Sequence, residues 1–195
     1  QALERVVPGI TAAYFRRMHD VVVPAIRSLQ QACRARGVPI FYTGTGCELP
    51  GGRDLPLWLR QFDDLGRATV GEAVWPDTGD PAWQIDEQLA PAAGEVVVNK
   101  KCSDAFHGTV IDNSLRNLGL DTVIVAGTST DVCVSTSARE AADRGYRVLV
   151  AEDGPPAFAN RTVADQALAV RMDADDLVVV GPDGHQLLEI AVLDR

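Results

Sequence analysis

The sequence predicts an α/β protein, a three-layer α/β/α sandwich around a mainly parallel sheet. Three observations carry that expectation. From residue 95 onward, strand-like and helix-like segments alternate in the order β-α-β-α-β-α-β. The strand-like segments "EVVVNK" (95–100), "DTVIVAG" (121–127), "YRVLVAED" (146–153) and "LVVVG" (177–181) are continuous apolar runs. Continuous runs mark strands buried on both faces, which requires helices on both sides of the sheet. Finally, Gly37, Gly119 and Gly145 each follow a helical pattern, where a left-handed residue ends a helix.

Taken in order, residues 11–36 place Val22, Ile26, Leu29 and Cys33 on one helical face, and Gly37 stops the helix. "VPIFYTG" (38–44) follows as a short strand. Residues 45–80 are broken by Gly, Pro and Asp, with "LWLRQFDDLG" (57–66) as a short helix; an insert this long is expected to shape a pocket. After the strand at 95–100, helices are predicted at 109–119, 132–144 and 160–172 between the remaining strands. "HQLLEIAVL" (185–193) reads as a terminal edge strand or as a tail packing on a neighbouring subunit.

Composition narrows the function. A chain of 195 residues with 46% apolar residues forms one domain, 1–195, with a sizeable core. A formal charge of −9 argues against a nucleic-acid partner or an anionic membrane, because phosphates select clustered Lys and Arg. No apolar stretch approaches the roughly 20 residues that span a bilayer, and no signal-peptide pattern opens the chain, so a cytoplasmic location is expected. Cys33, Cys47, Cys102 and Cys133 match no zinc or Cys-x-x-Cys spacing and read as reduced thiols. His19, His107 and His185 are too scattered for a His-based metal site or a Ser-His-Asp triad, so metal catalysis is not expected.

Open parallel sheets bind ligands beyond the carboxyl ends of their strands. Two such ends hold chemistry-bearing residues: Lys100 closes its strand, and Cys133 opens the helix after the next one. If these strands are neighbours, both side chains converge on one rim. There the helix dipole and the ammonium would favour a thiolate, and N–H groups around Thr130 to Cys133 could hold an oxyanion, a combination suited to acyl transfer. Alone, each residue has a plainer reading: Cys133 as a buried apolar side chain, Lys100 as a strand-end lysine reaching for solvent.

The stretch "KKCSDAFHGTVIDNSLRNLGLDTVIVAGTSTDVCVSTSAREAADRGYRVLVAED" (100–153) resembles the isochorismatase-like cysteine hydrolases. The family pattern is a strand-end Lys, an Ala-Phe followed by Thr, then G-x-x-T-x-x-C-V entering a helix. "LGRATVGEAVWPDTGDPAWQIDEQLAPAAGEVVVNK" (65–100) looks closest to amidohydrolases of the N-carbamoylsarcosine amidase type. The resemblance implies the isochorismatase-like hydrolase fold and a cofactor-free amidohydrolase acting on a small carboxamide or N-carbamoyl/ureido compound through an acyl-enzyme. It makes Cys133 the nucleophile and Lys100 the cation of an Asp-Lys-Cys triad. It also implies a cis peptide before the nucleophile, here joining Ser129 and Thr130, with Ser129, Thr130 and Cys133 forming the oxyanion site. Phe106 becomes a pocket wall, Asp104 a substrate-side charge, and a homodimer or homotetramer the expected assembly.

The departure is the third triad member. Relatives carry that Asp at the end of a first strand, in a segment like "VIDMQ", and no such strand precedes the first helix here. Either strand and Asp lie upstream of Gln1, outside this sequence, or the chain lacks the base and binds without turnover. The competing functions are vinyl-ether hydrolysis of the isochorismatase type, a binding or scaffold protein, and a redox sensor pairing Cys133 with Cys102. Trp58, Trp75 and Trp83 read as packing or subunit contacts first and as substrate walls second.

Overall fold

The computed structural model describes residue 6, residues 11–152, and the strands Leu168–Arg171 and Leu187–Leu193. In chain order its principal elements are α1 (Ala12–Arg17), α2 (Val23–Ala35), β1 (Ile40–Thr45), α3 (Leu57–Val70), β2 (Val96–Lys100), α4 (Ile111–Asn117), β3 (Thr122–Thr128), α5 (Ser135–Asp143), β4 (Arg147–Glu152), β5 (Leu168–Arg171) and β6 (Leu187–Leu193). All strand pairings are parallel, and the sheet order is β2-β1-β6-β3-β4-β5.

Strand alternation explains the three layers. Ile40 and Tyr42 of β1 and Ile124 and Ala126 of β3 pack on one face against Val23, Ile26, Leu29 and Cys33 of α2. Phe41, Val123 and Val125 project to the other face, against Ile111 and Leu115 of α4 and Ala138 and Ala141 of α5. Both sides of these strands are therefore dry, as continuous apolar runs require. Gly37 (φ 67) and Gly145 (φ 90) take the left-handed conformation where helices were expected to stop.

The long first helix is interrupted. Between α1 and α2 a π turn spans Met18–Val22, and Val23 N–H bonds to Met18 O, five residues back. Pro24 follows at once; it has no N–H to continue the i→i−4 ladder, so the wider turn sits directly before it. The insert folds around a satellite core of Cys47, Leu55 and Leu59 covered by Trp75. Asp63, 3% exposed, holds the return of that insert by accepting from the Val74 and Trp75 N–H groups at 2.8 and 2.9 Å.

Three expectations need correction. The segment 185–193 is neither an edge strand nor a detached tail: β6 lies between β1 and β3, pairing Thr43 with Val192 and Thr128 with Leu193. Its mostly apolar "LLEIAVL" fits an interior position, where both edges of the strand are hydrogen-bonded. The strands at 95–100 and 121–127 are not neighbours, since β1 and β6 separate them. Residues 168–171, expected within a helix, form β5 beside β4; the rest of that helix and the strand at 177–181 lie outside the described residues.

Candidate active site

Three strand ends and one helix entrance meet at a single point. Lys100, the last residue of β2, is 1% exposed. Its Nζ donates to Thr45 Oγ1 at 3.0 Å, to Cys102 O at 3.1 Å and to Cys133 Sγ at 3.3 Å. Thr45 ends β1 and stands beside Lys100 in the parallel register. Lys100 and the turn after β3 meet beyond the ends of the intervening strands β1 and β6, which is how residues from non-adjacent strands come together.

Cys133 sits in a π turn, Thr130–Val134, that leads into α5. The sulfur is 3% exposed and packs in the same cluster as Val134, Ala138 and Ile111. Both plain readings thus hold in part: the thiol is buried among apolar groups and Lys100 is a strand-end residue. Yet Lys100 is turned inward. An ionisable sulfur 3.3 Å from a buried ammonium can become an anion.

A cis peptide precedes this turn, but it joins Thr128 and Ser129, one residue earlier than expected. Thr128 closes β3, and its Oγ1 is 2.7 Å from the Tyr14 hydroxyl of α1. Of the N–H groups in the turn, Val132 and Val134 donate to Ser129 O at 3.1 and 3.3 Å. Those two N–H groups of the expected oxyanion segment are thus already committed.

Asp104 and Phe106 are held in the turn after β2 and in the core, respectively. Asp104 Oδ1 accepts from the Phe106 and His107 N–H groups, holding the turn after β2. Phe106 is 3% exposed, stacks on Tyr146 with centroids 6.0 Å apart, and carries the Arg144 guanidinium over its ring. Its bulk is core. Cys102 is also turned away: its thiol donates to Asp104 O at 3.3 Å, and burial, then the Asp104 charge, push its pKa up. That suits a structural thiol better than a redox partner. Among the described residues, no group of three His, Cys, Asp or Glu gathers as a metal site.

A cavity of about 930 Å³ adjoins this centre, lined by Tyr14, Thr45, Trp75, Trp83 and Leu89 among others. Two of these residues tie it to the polar cluster, Thr45 through Lys100 and Tyr14 through Thr128. Residues of the insert, including Gly51, Gly52, Arg67 and Val74, form much of its wall, as expected for that segment. Trp83 lies flat over Gly44 and Gly46, while Trp75 donates from Nε1 to Leu59 O at 3.1 Å and packs the insert. Trp58 is 39% exposed and meets Phe62 edge to face. Thr45, Tyr14 and Thr128 were not anticipated. Thr45 was legible as the end of a strand; nothing local marks Tyr14.

Residues 16–181 match the Isochorismatase domain family. The chain belongs to the isochorismatase family. The N-carbamoylsarcosine amidase of an Arthrobacter species is 30% identical over 135 residues, 67% of this chain and 48% of that protein. The maleamate amidohydrolase of Pseudomonas putida is 31% identical over 146 residues, 75% of this chain and 61% of that protein. The chain therefore spans about half to three fifths of these two curated relatives. The solved N-carbamoylsarcosine amidase of Thermoplasma acidophilum superposes with a TM-score of 0.61 at 26% identity, covering 80% of this chain and 84% of that one. The isochorismatase match ends at residue 181, yet the centre of the sheet is built by β6, which begins at Leu187.

Proposed function

We propose that this chain is a cysteine-dependent amidohydrolase acting on a small carboxamide or N-carbamoyl/ureido compound through a covalent acyl-enzyme. The observation that carries the reading is the 3.3 Å approach of the buried Lys100 Nζ to Cys133 Sγ, beside Thr45 of the cavity wall. An ammonium at that distance favours thiolate over thiol, and the entrance of α5 adds the positive end of its dipole. Relatives named as amidases and amidohydrolases support the reaction class.

As the base we propose Asp194, which follows β6 in the sequence and lies outside the described residues. In the parallel register Val192 stands beside Thr43, and Leu193 beside Thr128. In sequence, "IAVLD" (190–194) is an apolar run followed by an acid, as in the "VIDMQ" of relatives.

The chemistry follows. The Cys133 thiol proton passes to the Asp194 carboxylate, and sulfur attacks the carbonyl carbon. Negative charge develops on oxygen, against the N–H groups of Thr130 and Cys133. The C–N bond breaks as nitrogen takes the proton back from Asp194, releasing ammonia or an amine. Water then attacks the thioester, giving a proton to Asp194, and sulfur leaves as the thiol when that proton returns. Lys100 keeps the two acidic groups in register.

The test is an ammonia-release screen of small amides and ureides. Turnover is expected with the native chain, none with Cys133→Ala, and a loss of at least about 100-fold with Asp194→Asn. Equal turnover by Cys133→Ala would end the reading. We also propose a homodimer or homotetramer, supported by Leu57, Trp58 and Leu65 of α3, which are 64%, 39% and 47% exposed. Sedimentation of a monomer at micromolar concentration would refute it.

A further inference from the structure

The cavity beside Lys100 and Thr45 carries an unbalanced charge. Glu72, Asp77, Asp80 and Asp86 line it, whereas Arg67 is the single Lys or Arg among the described lining residues. That guanidinium already has a carboxylate near it, with Nη2 3.8 Å from the buried Asp63. His19, also on the wall, lies 3.3 Å from Asp20. By themselves the four carboxylates would be an ordinary solvated rim. They become informative because they stand around a 930 Å³ space whose inner end meets the proposed catalytic centre.

The rest of the wall is apolar and aromatic. Tyr14, Phe15, Trp75 and Trp83 contribute rings, and Val23, Ile85 and Leu89 aliphatic surface. Walls of low polarizability focus the field of nearby carboxylates into the cleft, and ring faces themselves attract cations. Among the described lining residues a carboxylate-bearing substrate would meet only Arg67, which has Asp63 beside it, and it would lose hydration on the way. N-carbamoylsarcosine and maleamate, the compounds named for two relatives, are both carboxylates.

We infer that this cavity selects an amide or ureide bearing a positive charge at the end remote from the scissile carbonyl. The apolar rings hold the substrate's body, the acids at 77, 80 and 86 hold its ammonium or guanidinium end, and the amide end lies toward Cys133. The inference rests on the amidohydrolase reading for its amide end but not for its charge preference.

The test uses three compounds of similar length: 5-aminopentanamide, pentanamide and glutaramate. With the native chain at about 20 mM ionic strength, kcat/KM is expected to fall in the order cation, neutral, anion, with at least about tenfold between the ends. In about 0.5 M salt that ratio narrows to roughly threefold or less. Asp77→Asn combined with Asp86→Asn narrows the cation-to-anion ratio at low salt; Asn at 86 keeps the turn cap that Asp86 gives Gln88 N–H. In parallel, pentylammonium and pentanoate are titrated into Cys133→Ala by calorimetry, and pentylammonium is expected to bind at least about tenfold more tightly. Preferential pentylammonium binding without hydrolysis of any amide would remove the enzymatic reading and leave this one standing. Hydrolysis of glutaramate as fast as 5-aminopentanamide, or equal binding of the two ions, overturns it.

Discussion

Lys100 is the residue on which site and stability pull apart. Its ammonium is buried beside a thiol, and replacing a buried charge by an apolar side chain of similar length is often close to neutral for folding. Lys100→Met is therefore expected to stay within about 2 kcal/mol of the native stability in thermal denaturation, while ammonia release drops by at least about 100-fold. A merely structural lysine would give the reverse. The four cysteines separate in the same way. Burial, followed by the charges of Asp63 and Asp54, pushes the Cys47 thiol up to about 11, so it stays protonated at neutral pH. Iodoacetamide at pH 7 is expected to modify Cys133 well before Cys47 or Cys102, as read by mass spectrometry. Cys133 and Lys100 were legible because their residue types at a helix entrance and a strand end are chemically unusual. The inward turn of Phe106 was not legible, because a family pattern fixes spacing but not which side chain turns inward.

Among the elements, α2, β1 and the approach to β2 are clasped by one polar cluster. The Arg34 guanidinium donates to both Glu95 oxygens at 2.7 and 2.8 Å, and the Tyr42 hydroxyl donates to Glu95 Oε2 at 2.8 Å. Gln30 Nε2 donates to that same hydroxyl at 3.0 Å. The Arg34 hydrogen bond, against some opposition from burial, lowers the Glu95 pKa from 4.5 to about 2. A carboxylate depressed on folding contributes stability that is present above its unfolded pKa and is lost as pH falls through the folded one. Stability should therefore decline between about pH 4.5 and 2, and Glu95→Gln should flatten that part of an acid-denaturation curve. At the end of β1, a Cβ on Gly46 would stand 2.4 Å from Trp83 Cδ1 and 3.1 Å from Pro76 O. Gly46→Ala is expected to cost about 1–3 kcal/mol and to shift tryptophan fluorescence as Trp83 is pushed from its seat. The boundaries of these elements were largely legible from periodicity and helix-stopping glycines. The π turn before Pro24 was not, since a wider turn leaves the apolar spacing of Ile26, Leu29 and Cys33 intact.

For the whole molecule, the sheet's connectivity is the feature that sequence order concealed. Patterning revealed that strands were buried on both faces, but not that the last of them stands between β1 and β3. Nothing local tells an interior strand from an edge strand once both are apolar; only pairing does. Removing residues 187–195 would strip both flanking strands of their partner and leave two rows of backbone groups unpaired. Such a truncated chain is expected to lose cooperative unfolding, checked by calorimetry, rather than merely to lose activity.

That arrangement also bears on how the protein is made. Until Leu193 has emerged from the ribosome, the β2-β1 pair and the β3-β4-β5 group have no shared strand to join them. Until then the nascent chain can hold only two half-sheets side by side, and the sheet closes once β6 has been made.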